Sequence, residues 1–203
     1  MPFLPAGSHE PTGLVLDLDP PDGADFATVV AVAGLARAAL EEVGLAGAVK
    51  TSGSTGLHVV VPVAGSPAED VAAATRALAQ RAARLDPAIA TTAFLKEERE
   101  GRVFVDSTRS GTGTVVAAYS PRVRPGLPVS APVAWADLDG IAPGDVTVAS
   151  GADGLRDWAA LLPAPQRLPA GLVAEGHTIP IARVAAMHEG KRRKRAREAA
   201  GEG

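Results

Sequence analysis

Cysteine is absent from the 203 residues, which removes disulfides, thiolate nucleophiles and cysteine-ligated zinc or iron–sulfur centres. Aromatic residues make up 3% of the chain, so the core must be built from small aliphatic side chains. No apolar run approaches the ~18–20 residues that a membrane span needs, and no basic-then-apolar leader opens the chain. The reading is a soluble cytoplasmic protein with no membrane partner. The four histidines are too dispersed to suggest a zinc site. Glycine (22) and proline (17) are plentiful, and the length fits one domain, or one domain plus an appendage.

The net charge of −3 conceals an asymmetry. From Glu189 onward the chain carries six bases (Lys191, Arg192, Arg193, Lys194, Arg195 and Arg197) and three acids (Glu189, Glu198 and Glu202). A compact basic segment on an acidic body suits contact with nucleic acid. It suits a solvated terminal helix equally well.

Residues 1–12 show no period. GLVLDLD at 13–19 alternates as a strand does, and Pro20-Pro21 ends it. Asp25 is placed to cap a helix running to about Val43, with Val29, Val32, Ala33, Ala36, Ala39, Leu40 and Val43 on one stripe. AVKTSGSTGLHVVVPV at 48–63 reads as strand–loop–strand, and Pro67, Glu69 and Asp70 open a second helix to about Leu85. RVFVDS at 102–107 and TVVAAYS at 114–120 read as a further strand pair joined by TRSGTG. Short helices are expected near 133–138 and 154–162, and another over 180–198. This order implies an α/β fold, a mixed sheet covered by two helices. The expected division is a core over 1–162, then a Pro-rich linker and basic C-terminal helix or tail over 163–203.

Asp17 and Asp19, two apart on a strand, point to the same side, while Leu16 and Leu18 face the opposite, buried side. Such a pair is tolerated if solvated, if it shares a proton, or if a divalent cation sits between the two. Asp106 ends the strand RVFV, and three aspartates would converge if that strand neighbours the first. Ser52, Gly53, Ser54, Thr55 and Gly56 form a loop whose N–H and hydroxyl groups suit an anion, although the same residues make an ordinary turn. It lacks the ending of a Walker A motif. Singly, His58 reads as a structural histidine and Lys50 as a surface charge. Arg109, Arg122 and Arg124 offer cations for phosphate oxygens.

In combination, DLDP, KTSGSTGLHVVVP and VFVDSTRSGTGTVVAAYSPRVRPGLPVS, in this order, resemble the polymerase domain of bacterial ligase D, in the archaeo-eukaryotic primase superfamily. The likeness runs from about Gly13 to Trp158. It implies a primase-type catalytic core: a mixed sheet like that of the RNA-recognition motif with flanking helices, without the family's N-terminal subdomain. Asp17, Asp19 and Asp106 match the residues that hold two catalytic divalent metals, Mn2+ or Mg2+. Ser52 and His58 match the triphosphate loop, with Gly53, Ser54 and Thr55 between them, and Arg122 matches a further triphosphate contact. Thr55 stands where the family usually has a basic residue.

The implied activity is nucleotidyl transfer during non-homologous end joining. A primer 3′-hydroxyl attacks the α-phosphate of an NTP, ribonucleotides being preferred. Implied partners are DNA ends or primer–template, Ku and a separate DNA ligase, in a cytoplasmic, nucleoid-associated setting. Arg109, Arg124 and the Lys191–Arg195 run are the candidate nucleic-acid contacts. The alternative is a non-catalytic, degenerate primase-fold module that binds DNA ends or repair partners. A haloacid-dehalogenase-type phosphatase ranks lower, since Pro21 stands where that motif has threonine.

Overall fold

The computed structural model describes residues 10–110, 114–151 and 155–181. The elements in chain order are β1 (Gly13–Asp19), α1 (Phe26–Glu42), β2 (Ala48–Thr51), β3 (Leu57–Pro62), α2 (Ala68–Leu85), β4 (Ala90–Thr91), β5 (Val103–Asp106), β6 (Pro132–Val133), α3 (Trp158–Leu161) and α4 (Ala170–Thr178). The strands form one sheet in the order β4-β5-β1-β3-β2-β6. Every neighbouring pair is antiparallel except β4 with β5.

Strand alternation divides the sheet into two unlike faces. Leu14, Leu16 and Leu18 of β1 pair in register with Val61, Val59 and Leu57 of β3, and Leu18 with Val105 of β5. These residues join one apolar cluster with α1 and α2. Helix α1 starts where expected, the Asp25 side chain accepting from the Ala27 amide at 3.1 Å. Six of the seven residues on its predicted stripe are fully buried, and Val43 is half-buried at the C-cap. Five of the eight buried residues of helix α2 are alanines, which lets it lie close to its neighbours.

Three sequence expectations change. Residues 114–120 form no strand; both flanks of β5 are taken, by β1 and by the two-residue β4. Tyr119 adopts φ 68°, which breaks an extended run, and its hydroxyl ties the segment to the Arg156 carbonyl and the Trp158 amide. The stretch over 133–138 splits into β6 and a 3-10 turn at Trp135–Gly140. Residues 163–181, read as linker, are packed onto the body: Gln166 bonds the backbone at Ala46, and α4 lies along α2 with Leu172 buried. The helix expected over 180–198 falls almost wholly outside the described residues, as does the basic run.

The α2–α4 crossing depends on Gly176. A Cβ there would lie 1.9 Å from the Ala73 carbonyl oxygen, far inside contact distance and against backbone that cannot rotate away. Gly176→Ala should therefore cost on the order of 2 kcal/mol or more. A lowered midpoint in urea unfolding checks this, and an unchanged midpoint would show that α4 docks otherwise.

Candidate functional site

The second face of the sheet carries the polar residues. Register places Asp106 opposite Asp17, Asp17 opposite His58, and His58 opposite Lys50. Four chemistry-bearing side chains thus form one row across β5, β1, β3 and β2. Directly opposed residues on neighbouring strands share a face and approach to about 5 Å between Cβ atoms, so strand pairing alone gathers them.

Lys50 is buried, 3% exposed, which corrects its reading as a surface charge. Its Nζ lies 2.8 Å from His58 Nδ1 and donates to Ser130 Oγ at 2.7 Å, and that hydroxyl donates to the Thr51 carbonyl at 2.7 Å. Burial pushes the Lys50 amine down from its ordinary 10.5 to about 7, the Asp17 charge opposing this and Arg122 adding to it. Burial likewise lowers His58, against the hydrogen bond it donates to Asp17, so the ring is neutral near pH 7. With Nδ1 facing the amine, the ring proton sits on Nε2, 3.3 Å from Asp17 Oδ1. Burial alone would raise the Asp17 carboxyl, but the His58 and Arg109 interactions outweigh it and hold it below its ordinary value.

The turn after β5 supplies the other side of the site. Asp106 Oδ1 accepts from the Thr108 amide at 2.7 Å, starting the 3-10 turn Thr108–Ser110. Ser110 Oγ then bonds both the amide and the carbonyl of Val15, groups that β5 is too short to reach. The turn carries Arg109 back over the row, where its Nε is 3.2 Å from Asp17 Oδ2 and 3.1 Å from Asp106 Oδ2. Asp19 points elsewhere, its Oδ2 paired with Arg99 Nη1 at 3.1 Å.

Two of the three aspartates therefore converge, and the third lies one pleat along the same strand. Among the described residues no three carboxylate or imidazole groups are gathered closely enough to hold an ion. Two hard oxygens already facing one cation nevertheless fit a divalent ion at Asp17 and Asp106.

The loop between β2 and β3 folds around Ser52. Its Oγ accepts from the amides of Ser54 (3.2 Å) and Gly56 (3.1 Å), leaving the hydroxyl proton to donate. Gly53 sits at φ 66°, with Arg122 pressed against it, and a Cβ on Gly56 would lie 2.3 Å from the Leu18 carbonyl oxygen. Arg122 Nη1 donates to the Ser52 carbonyl at 3.0 Å. Asp17, His58, Arg109, Arg122 and residues 114–116 line one cleft of about 460 Å³. Ser54 and Thr55 lie at the loop's turn, and Arg124 is exposed outside the cleft.

Sequence reasoning missed Arg99, Ser130 and the burial of Lys50. The one available signal for Lys50 was parity: it lies between inward-facing Val49 and Thr51, on the side shared with His58.

Fold and site together define a mixed-sheet α/β domain whose polar face carries an acid–imidazole–amine row under an arginine-lined cleft. The model of the LigD primase-polymerase domain matches residues 4–161, and the chain belongs to this family. The multifunctional non-homologous end joining protein LigD of Mycobacterium bovis is 42% identical over 131 residues, 63% of this chain and 17% of that protein. The Pseudomonas aeruginosa protein of the same name is 37% identical over 138 residues, 67% of this chain and 16% of its own length. The chain thus spans about a sixth of the length of these relatives. Among solved structures, the polymerase domain of Mycobacterium tuberculosis Ligase D, in complex with DNA, is similar with a TM-score of 0.63 and 33% identity, over 78% of this chain and 60% of that one.

Lys50 generates a test through pH. Between about 7 and 10.5 the unfolded chain holds a proton that the folded chain does not, so stability rises with pH across that window. Lys50→Met removes this slope along with two hydrogen bonds whose loss is independent of pH. The stability of Lys50→Met relative to wild type should be highest at about pH 6 and fall by on the order of 2–3 kcal/mol by about pH 9. Urea unfolding of both proteins at the two pH values measures it; a constant difference would show that Lys50 keeps its proton when folded.

Proposed function

We propose that this domain catalyses metal-dependent nucleotidyl transfer of the primase-polymerase type in DNA end repair by non-homologous end joining. The observation that carries the reading is the convergence of Asp17 and Asp106 on one cation, inside a cleft that also presents His58, Arg109 and Arg122. Family membership supports it, as does the likeness to a polymerase domain in complex with DNA.

In this reading Asp17 and Asp106 would hold Mn2+ or Mg2+, and Asp19, on release from Arg99, would join them for a second ion. Such ions supply Lewis-acid activation of the attacking hydroxyl and neutralise charge on the triphosphate. The chain's own residues orient the reactants. Ser52 offers its remaining hydroxyl proton to a phosphate oxygen, and Arg122, braced on the same loop, offers its guanidinium. His58, fixed as the Nε2–H tautomer by Lys50, donates toward Asp17 and keeps that carboxylate ionised. The primer 3′-hydroxyl gives its proton to solvent, its oxygen forms the new bond to the α-phosphorus, the bond to the bridging oxygen breaks, and pyrophosphate leaves. Primer-template DNA ends and ribonucleotides are the proposed substrates, with Ku and a separate DNA ligase as partners.

The pairing of Asp17 and Asp106 with Arg109, together with Thr55 in place of a basic residue, favours a second reading: a non-catalytic module that binds DNA ends. Extension of a 5′-overhang primer with ribonucleotides and Mn2+ separates the two. Asp17→Asn and Asp106→Asn keep the size of the side chains and should each lower extension by about a thousandfold or more. Extension unaffected by either change would refute the carboxylate roles. No extension by wild type, with DNA-end binding retained, would establish the binding module.

A further inference from the structure

The cation shared by Asp17 and Asp106 belongs to the chain itself. We propose that Arg109 is a built-in, displaceable counter-cation: it holds the two carboxylates together without metal, and a divalent ion must expel it to bind. This rests on the metal reading given above.

The contrast between two arginines carries the inference. Arg99, which pairs with Asp19, is 13% exposed and anchored on every side. Its Nε and Nη2 donate to the carbonyls of Ala93 and Phe94, and its guanidinium stacks 4.0 Å from the Phe104 ring centre. Arg109 is 42% exposed, and its contacts on the two carboxylates all come from Nε, at 3.1–3.2 Å. The Nε hydrogen bond goes to Asp17 Oδ2, while Asp106 Oδ2 is within ion-pair distance only, and such an arrangement is weaker than a paired guanidinium–carboxylate fork. The guanidinium therefore leaves at modest cost.

It also has to leave. A divalent ion bound by the same two oxygens would stand within a few ångströms of a positive guanidinium, and like charges at that range repel strongly. Only the side chain needs to move. Thr108 is held through Asp106 Oδ1, not the Oδ2 that meets Arg109, and Ser110 is tied to Val15. The backbone of the turn, and the aim of Asp106, survive the exchange. The expelled side chain remains beside the cleft that Arg122 also lines.

Mn2+ binding by calorimetry, without nucleotide, tests this on the full chain. Arg109→Gln should bind Mn2+ about tenfold tighter than wild type, the size expected for losing one charge-assisted contact, and Arg109→Lys should stay near wild type. The gain should vanish when Asp106→Asn is added to Arg109→Gln. Equal or weaker binding by a folded Arg109→Gln, or a gain that survives Asp106→Asn, overturns the proposal. Absence of Mn2+ binding in both wild type and Arg109→Gln overturns it together with the metal reading, which separates the two failures. A second measurement needs no variant: Mn2+ should raise the modification of wild-type Arg109 by phenylglyoxal, mapped by mass spectrometry, while Arg99 stays protected. An Arg109 yield unchanged by saturating Mn2+ overturns the proposal.

Discussion

The register that sets Asp17 between Asp106 and His58 is the constraint on which both fold and site depend. A slip of one residue would carry Leu14, Leu16 and Leu18 out of the apolar cluster and drive Asp17 into it. Burying an unpaired carboxylate there would cost several kcal/mol. The hydrophobic face and the polar face therefore select the same pairing, and the site is fixed as firmly as the core.

The helices were legible because their signals are local. Asp25 caps α1 and the stripe from Val29 to Leu40 repeats at helical spacing, and both features were found where expected. Local signals misled at 114–120, where TVVAAYS has strand composition but no free sheet edge to join. Strand β4 fills that edge with two residues, too short to leave a pattern. Helix α4 was concealed by Pro169, which is compatible with a helix start, and by glycines that weaken helical propensity. One of these, Gly176, is there because the crossing with α2 leaves no room for a side chain.

Site residues divide the same way. Asp17, Asp106, His58, Ser52 and Arg122 stood out by type, and the folded sheet sets Asp17, Asp106 and His58 in one row while Arg122 braces the Ser52 loop. Lys50 was misjudged because a charge on a short strand normally points to water. Its burial rests on Ser130, 80 positions away, and parity along β2 was the one local sign of it. Arg99 was missed for a related reason: its partners Asp19 and Phe104 come from two neighbouring strands, and only the folded sheet reveals that it bridges them.

The polar row is oriented from both ends by segments distant in the chain. From the β2 side, the amine of Lys50 meets His58 Nδ1 and so aims the Nε2 proton at Asp17. From the β5 side, the Thr108–Ser110 turn lays Arg109 over the two carboxylates. Between these two segments runs the stretch 114–120, and its failure to become a strand matters here. Because it lies across the polar face instead of extending the sheet, residues 114–116 form a wall of the cleft above Asp17 and His58. The departure from strand structure that composition did not foretell is thus what encloses the space where substrate would sit. The cleft exists because the sheet ends at β4 and the chain has to cross over its own polar face to reach β6.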